Sequence, residues 1–184
     1  MLPRHRVINF SMGDFLFCFT AHIDKYDFGK YFYTVVYLPK QMVPKLPLEQ
    51  FPRLRIEAEV NGFMVNGALM PDVMGSPQTK HLPLEANEEP QRIWYLMVSK
   101  KVLKAIGKSL GDQVTVRFRI ADQNQVEIPF ALQEMLEGNP RLQDIWDTLT
   151  PGKKRGFAHT IQSAQTEKTR LKRLEILEIS LLEL

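Results

Sequence analysis

The sequence predicts a mainly β fold with an α tail: a pseudo-two-fold β-barrel domain over residues 14–129, then a helical segment over 130–184. Three observations carry this. Short runs before Pro129 alternate apolar and polar residues with period two, the spacing of a strand. After Pro129 the apolar residues recur at three and four, the spacing of a helix. Part of the β pattern also repeats at an offset of 60 residues.

Residues 15–22 alternate Phe15, Phe17, Phe19 and Ala21 with Leu16, Cys18, Thr20 and His22. So few polar residues on either side predict a strand covered on both faces, with Cys18 buried as a small apolar residue. Asp24 to Gly29 reads as a turn, and Tyr31 to Leu38 as an aromatic, β-branched strand. Pro39 to Lys45 holds at most a helical turn, stopped by Pro44 and Pro47. Leu54, Ile56, Ala58 and Val60 make a half-exposed strand. Asn61-Gly62 tolerates the positive φ of a two-residue hairpin, and Phe63 to Met70 returns, with Gly67 marking a bulge.

Residues 71–90, with four prolines, read as a long loop of the kind that carries function. Ile93 to Val98 is a strand, Lys100 to Lys108 a short helix packing Val102, Leu103 and Ile106, and Val114 to Ile120 a strand. Val126 to Ile128 closes the β part. The repeat aligns Leu38, Met42 and Val43 with Val98, Val102 and Leu103. It also aligns Leu54, Ile56, Ala58 and Val60 with Val114, Val116, Phe118 and Ile120. Two β-α-β units would each cover the other's apolar face and leave few open edges.

Residues 130–137 form one helix, and Asn139-Pro140 and Thr150-Pro151 each supply a cap followed by proline at the first helical position. Leu142, Ile145, Trp146 and Leu149 share a face, as do Phe157, Ile161 and Ala164, and then Leu171, Leu174, Leu177 and Leu181. These stripes are expected to pack onto the barrel.

Hydrophobic residues at 44% and charged residues at 24% supply an ordinary core, which excludes disorder as the main state. A single cysteine excludes an internal disulfide and a cysteine-rich zinc site, and fits a reducing compartment. The first residues lack the apolar run of an export signal, and no stretch approaches the roughly 18 apolar residues of a membrane span. A cytoplasmic protein is expected.

The net charge of +3 is unevenly placed. Residues 151–173 carry Lys153, Lys154, Arg155, Lys168, Arg170, Lys172 and Arg173 against Glu167 alone, so that segment is +6 and the rest of the chain −3. Helices starting at Pro151 and near Thr166 would crowd these cations into their first turns, where the helix dipole disfavours them by about 0.3–1 kcal/mol each. Local helix stability does not explain the pattern, and an anion site at these positions would. A single helix over 152–182, or ion pairs with Glu85, Glu88, Glu89, Asp144 and Asp147, are the structural alternatives.

Two stretches carry a family resemblance. Leu54 to Phe118 contains Ala105-Ile106-Gly107 and Leu110-Gly111-Asp112-Gln113-Val114. Ile128 to Leu174 contains Thr150-Pro151, Ala164, Thr169-Arg170 and Arg173. Together they resemble the bacterial YdeI/OmpD-associated family, in the version where an N-terminal β domain of unknown function precedes the YdeI-like tail. The resemblance implies a double-split β-barrel like that of AbrB and MazE, with both halves in one chain. The 71–90 loop is longer than in the family, and Thr160 and Gln165 stand where it commonly has a Trp and a basic residue.

No catalytic signature is present. His5, His22, His81 and His159 are scattered without metal-ligand spacing, and no nucleophile elbow, P-loop or dinucleotide fingerprint occurs. Asp112 reads as a turn acid. No cofactor or metal is expected, and no enzyme activity. The first functional expectation is a non-enzymatic binding protein that contacts an anionic partner through the seven basic residues of the tail. That partner would be an acidic protein surface, a nucleic acid or a phospholipid. The second is AbrB-like DNA binding through Lys100, Lys101, Lys104 and Lys108. The third is a small molecule in the barrel, with the 71–90 loop as its lid.

Overall fold

The computed structural model describes residues 15–82 and 91–183, which divide between Ala121 and Asp122 into two compact units. The first is a closed antiparallel barrel of β1 (Phe17–Asp27), β2 (Phe32–Tyr37), β3 (Leu54–Val60), β4 (Phe63–Val73), β5 (Arg92–Met97) and β6 (Gln113–Ile120). Around the barrel the order is β1-β2-β5-β4-β3-β6. A 3-10 helix, Lys40–Lys45, lies between β2 and β3, and α1 (Lys100–Ile106) between β5 and β6.

The pairing is pseudo-symmetric. Val36 pairs with Leu96, and Ala58 with Phe118, so repeated positions 60 residues apart face one another across the β2–β5 and β3–β6 ladders. A pseudo-two-fold axis relating the two halves therefore passes through both ladders. The repeat is larger than the expected β-α-β unit. Strand β1 pairs with β2 and β6, and β4 with β5 and β3, so each half is β-β-helix-β. The two helices differ for a local reason. Ser99 caps α1 by accepting a hydrogen bond from the Val102 amide, and Gly107 closes it at φ 64°. The counterpart has Pro39 before it, without a side-chain cap, and Pro44 inside it.

Alternate residues point inward and fill the barrel. Ile23, Val36, Leu54, Ile56, Leu69, Leu96, Val116 and Phe118 are all but fully buried. Burying a side chain of this size contributes roughly 1.5–3 kcal/mol. Asn61 and Gly62 both have positive φ, giving the expected two-residue hairpin.

Four expectations need correction. Asp24–Asp27 continue β1, because Tyr26 and Asp27 pair with Tyr33 and Phe32; the turn is confined to the residues that follow. Cys18, Thr20 and His22 are exposed, so this end of β1 is covered on one face only. Gly67 marks no bulge, since the β3–β4 register runs unbroken through Ile56 and Gly67. A Cβ there would lie 2.9 Å from Leu96 Cδ1, which explains the glycine. Residues 71–73 belong to β4, residues 74–82 form turns, and the rest of the expected loop, 83–90, lies outside the described residues.

The second unit holds α2 (Phe130–Glu137), α3 (Pro140–Thr148), α4 (Pro151–Gln162) and α5 (Glu167–Leu182). Asn139, Thr150 and Thr166 cap α3, α4 and α5 through their side-chain oxygens. Thr166 is extended, so α4 and α5 are separate helices rather than one. The apolar stripes pack on one another around Leu132, Leu142, Trp146, Ile161, Leu177 and Leu181. Leu171, expected in the last stripe, is exposed. Val126 to Ile128 is not a strand: Val126 packs against the helical cluster, and the unit starts at Asp122 rather than after Pro129.

Candidate functional site

The seven tail cations fall into two groups on consecutive helices. Lys153, Lys154 and Arg155 sit in the first turns of α4, and Lys168, Arg170, Lys172 and Arg173 in the first turns of α5. From Arg155 to the end of α4 at Gln162 the helix rises about 10 Å before the chain turns into α5.

Four of the seven have structural partners. Lys154 Nζ lies 5.9 Å from the Trp146 ring centre and 3.7 Å from Asp147 Oδ1. Arg155 donates to the carbonyls of Gln123 (2.8 Å) and Gln125 (3.3 Å), holding the segment that enters α2. Arg170 pairs with Glu167 one turn earlier. Arg173 donates to the Thr160 carbonyl and, at 3.0 Å, to Ser163 Oγ. The dipole argument therefore reverses for Arg173. It stands at the start of α5 but touches the end of α4, where a cation is favoured. Lys153, Lys168 and Lys172 remain exposed, with no ion pair among the described residues.

On the barrel, Lys100, Lys101 and Lys104 are exposed on α1 and Lys108 is half-buried just beyond it. No acid occurs from Ser99 to Gly111. Asp112 accepts a hydrogen bond from the Ser109 amide at 2.8 Å, the turn role expected of it.

Two openings in the barrel unit were not legible as sites. One is a groove of about 490 Å³ lined by Tyr31, Phe32, Tyr33, Met97 and Lys100 among others. The other, about 630 Å³, is lined by Leu46, Pro47, Leu48, Glu49 and Trp94 among others. Trp94 is buried, and its indole Nε1 has no hydrogen-bond partner. An unpaired buried donor costs about 1–3 kcal/mol, which an acceptor on a ligand would recover. The only hint in the sequence was the aromatic run around the β1–β2 turn.

A third constellation covers the outer face of β1, β2 and β5. Tyr26 stacks on Tyr95 with ring centres 4.6 Å apart. Burial pushes the Tyr26 hydroxyl far above the ordinary tyrosine range, reinforced by its hydrogen bonds with Asp72 and Tyr95. Burial also pushes Tyr37 up, helped by Asp24 and Asp72, and its hydroxyl has no partner. Residues 74–82 are fastened over this face. His81 Nε2 lies 3.2 Å from Asp24 Oδ1, Ser76 donates to Asp72 at 2.9 Å, and Thr79 is fully buried. The short segment is a fixed cover here, not an open loop. Among the described residues, no three His, Cys, Asp or Glu side chains converge as metal ligands.

A pseudo-two-fold β-barrel joined to a four-helix unit defines the class of the protein. Residues 125–178 match the OmdA family model, described as bacteriocin-protection, YdeI or OmpD-associated. The match begins before α2 and ends within α5, so along the chain the β-barrel precedes the segment that matches this family model, consistent with the fusion the resemblance implied. No curated protein matches the chain. No helix among the described residues is long and apolar enough to cross a membrane.

Proposed function

We propose that the chain is a cytoplasmic, non-enzymatic binding protein whose partner is anionic. The observation that supports it is the set of exposed lysines without structural work: Lys153, Lys168 and Lys172 on the helical unit, and Lys100, Lys101 and Lys104 on α1. No described carboxylate pairs with any of them. Unpaired surface cations contribute little to folding, but they attract anions at long range. Lys154, Arg155, Arg170 and Arg173 are left out of this set because their partners lie within the chain.

Binding to labelled heparin across a salt series tests the reading. Affinity should fall steeply as salt rises, and Lys→Glu changes at each trio should weaken it without lowering the melting temperature. Wild-type affinity in both triple variants would sink the proposal. The same series with duplex DNA tests the AbrB-like reading through Lys100, Lys101, Lys104 and Lys108; binding that survives heparin competition would favour it.

A second reading is favoured by Trp94 alone. Its buried, unpaired Nε1 and the opening that Trp94 helps to line suit a small molecule carrying a hydrogen-bond acceptor. Native mass spectrometry of the purified protein would show such a ligand, and Trp94→Phe should release it. An unliganded wild-type mass would count against this reading.

A further inference from the structure

We propose that the groove beside α1 is a stacking site for single-stranded nucleic acid, selective for strandedness and tolerant of sequence. This rests on the anionic-partner reading and names the partner. Tyr31, Phe32, Tyr33 and Met97 are 56%, 46%, 44% and 41% exposed around one groove. Isolated exposed apolar residues are ordinary, but a contiguous aromatic set marks an interaction surface. Two of the three rings, Tyr31 and Tyr33, are also braced by ring contacts. Phe28 stacks on Tyr31 with centres 5.0 Å apart, and Tyr33 meets each of them edge-on at 5.7 Å. A base stacking on such a platform orders little that is not already ordered.

Charge selects the occupant. Lys100 lines the groove, and Lys104 follows one turn along the same side of α1. An apolar peptide would use the rings and leave the lysines idle. A duplex would use the lysines and leave the rings idle, since its base faces are already stacked. A single strand uses both, with its bases on the rings and its phosphates on the cations.

The polar atoms of the groove explain the tolerance. Thr34 Oγ1 donates to the Val98 carbonyl, and the Thr34 carbonyl accepts from the Val98 amide. Ser99 Oγ is engaged by the Val102 amide. These groups are committed within the fold and are not arranged to read base edges, the contacts that specify sequence.

Fluorescence anisotropy with labelled oligothymidylate and oligouridylate, the matching duplexes and heparin provides the test. Both single strands should bind at least tenfold more tightly than the duplexes, with affinity falling as salt rises. Removing Tyr31 and Phe32 together (Tyr31→Ala, Phe32→Ala) should weaken single-strand binding by roughly tenfold or more, leaving heparin binding unchanged in a protein that still unfolds cooperatively. Tyr31→Phe should retain binding. Lys100→Glu with Lys104→Glu should weaken both ligands and flatten the salt dependence. Equal binding of single strands and duplexes, or wild-type single-strand binding in the double-alanine variant, overturns the inference. Heparin binding without single-strand binding overturns it alone. Binding to neither overturns the anionic-partner reading as well.

Discussion

Tyr26 on β1 and Tyr95 on β5 stack face to face across the outside of the barrel, with Val35 on the strand between them fully buried. This outer cluster joins two strands that do not pair with each other. It holds two phenols in opposite situations, since Tyr26 is hydrogen-bonded to Asp72 and Tyr95 while Tyr37 has no partner. Removing the two hydroxyls should therefore have different effects. Tyr26→Phe loses a bond to a carboxylate and should cost about 1–2 kcal/mol. Tyr37→Phe removes an unsatisfied polar group and should be neutral or slightly stabilising. Urea denaturation of the two variants measures the contrast, and equal losses would contradict the hydrogen-bond assignment.

The same phenols set an alkaline limit. Both are held above the ordinary value, so the fold favours their neutral forms. Their contribution is complete below the unfolded-state pKa of about 10 and is lost as pH rises beyond it toward the folded-state values. Stability should fall above about pH 10, and the Tyr26→Phe, Tyr37→Phe double variant should lose less of its own stability over that range. Melting temperatures along a pH series check this, with phenolate absorbance following the ionisation.

Gly67 is required by its neighbour rather than by its backbone. A methyl group there would meet Leu96 Cδ1 at 2.9 Å, and Leu96 is itself only 1% exposed. Gly67→Ala should cost about 1–3 kcal/mol through overpacking. Adding Leu96→Val trims the opposing side chain, so the double variant should be less destabilised than the two single changes summed. Additive losses by chemical denaturation would show that the two positions are not coupled.

The barrel was legible where its logic is local. Period two and the 60-residue offset reflect ladders in which Val36 faces Leu96 and Ala58 faces Phe118. Strands β1 and β4 escaped the repeat because they begin 46 residues apart, at Phe17 and Phe63. Their pairing preserves the symmetry, but the different connections to β2 and β5 break the sequence spacing. The site was less legible because charge along a chain does not reveal acceptors. Arg155 is spent on the backbone carbonyls of Gln123 and Gln125, some 30 residues earlier, and no side-chain pattern announces such partners. The aromatic groove was hidden for a different reason. Alternation assigns Tyr31 and Tyr33 to one face and Phe32 to the other, yet all three border one opening at the end of β2.

Arg173 and Lys172 are adjacent in sequence and should behave as opposites. Arg173 reaches from α5 to the Thr160 carbonyl and Ser163 Oγ at the end of α4, fastening the two helices at a carbonyl that also accepts from Ser163 Oγ. Lys172 is exposed, with no partner among the described residues. Arg173→Ala should destabilise the helical unit by about 1 kcal/mol, combining a charged hydrogen bond with the loss of a favourable cation at a helix C-terminus. Lys172→Ala should leave stability unchanged. Amide hydrogen exchange resolves the effect by unit: protection should fall in α4 and α5 and remain unchanged in the barrel strands. Equal protection in both variants would mean that Arg173 belongs with the free lysines, and the surface available to an anionic partner would then extend to the start of α5.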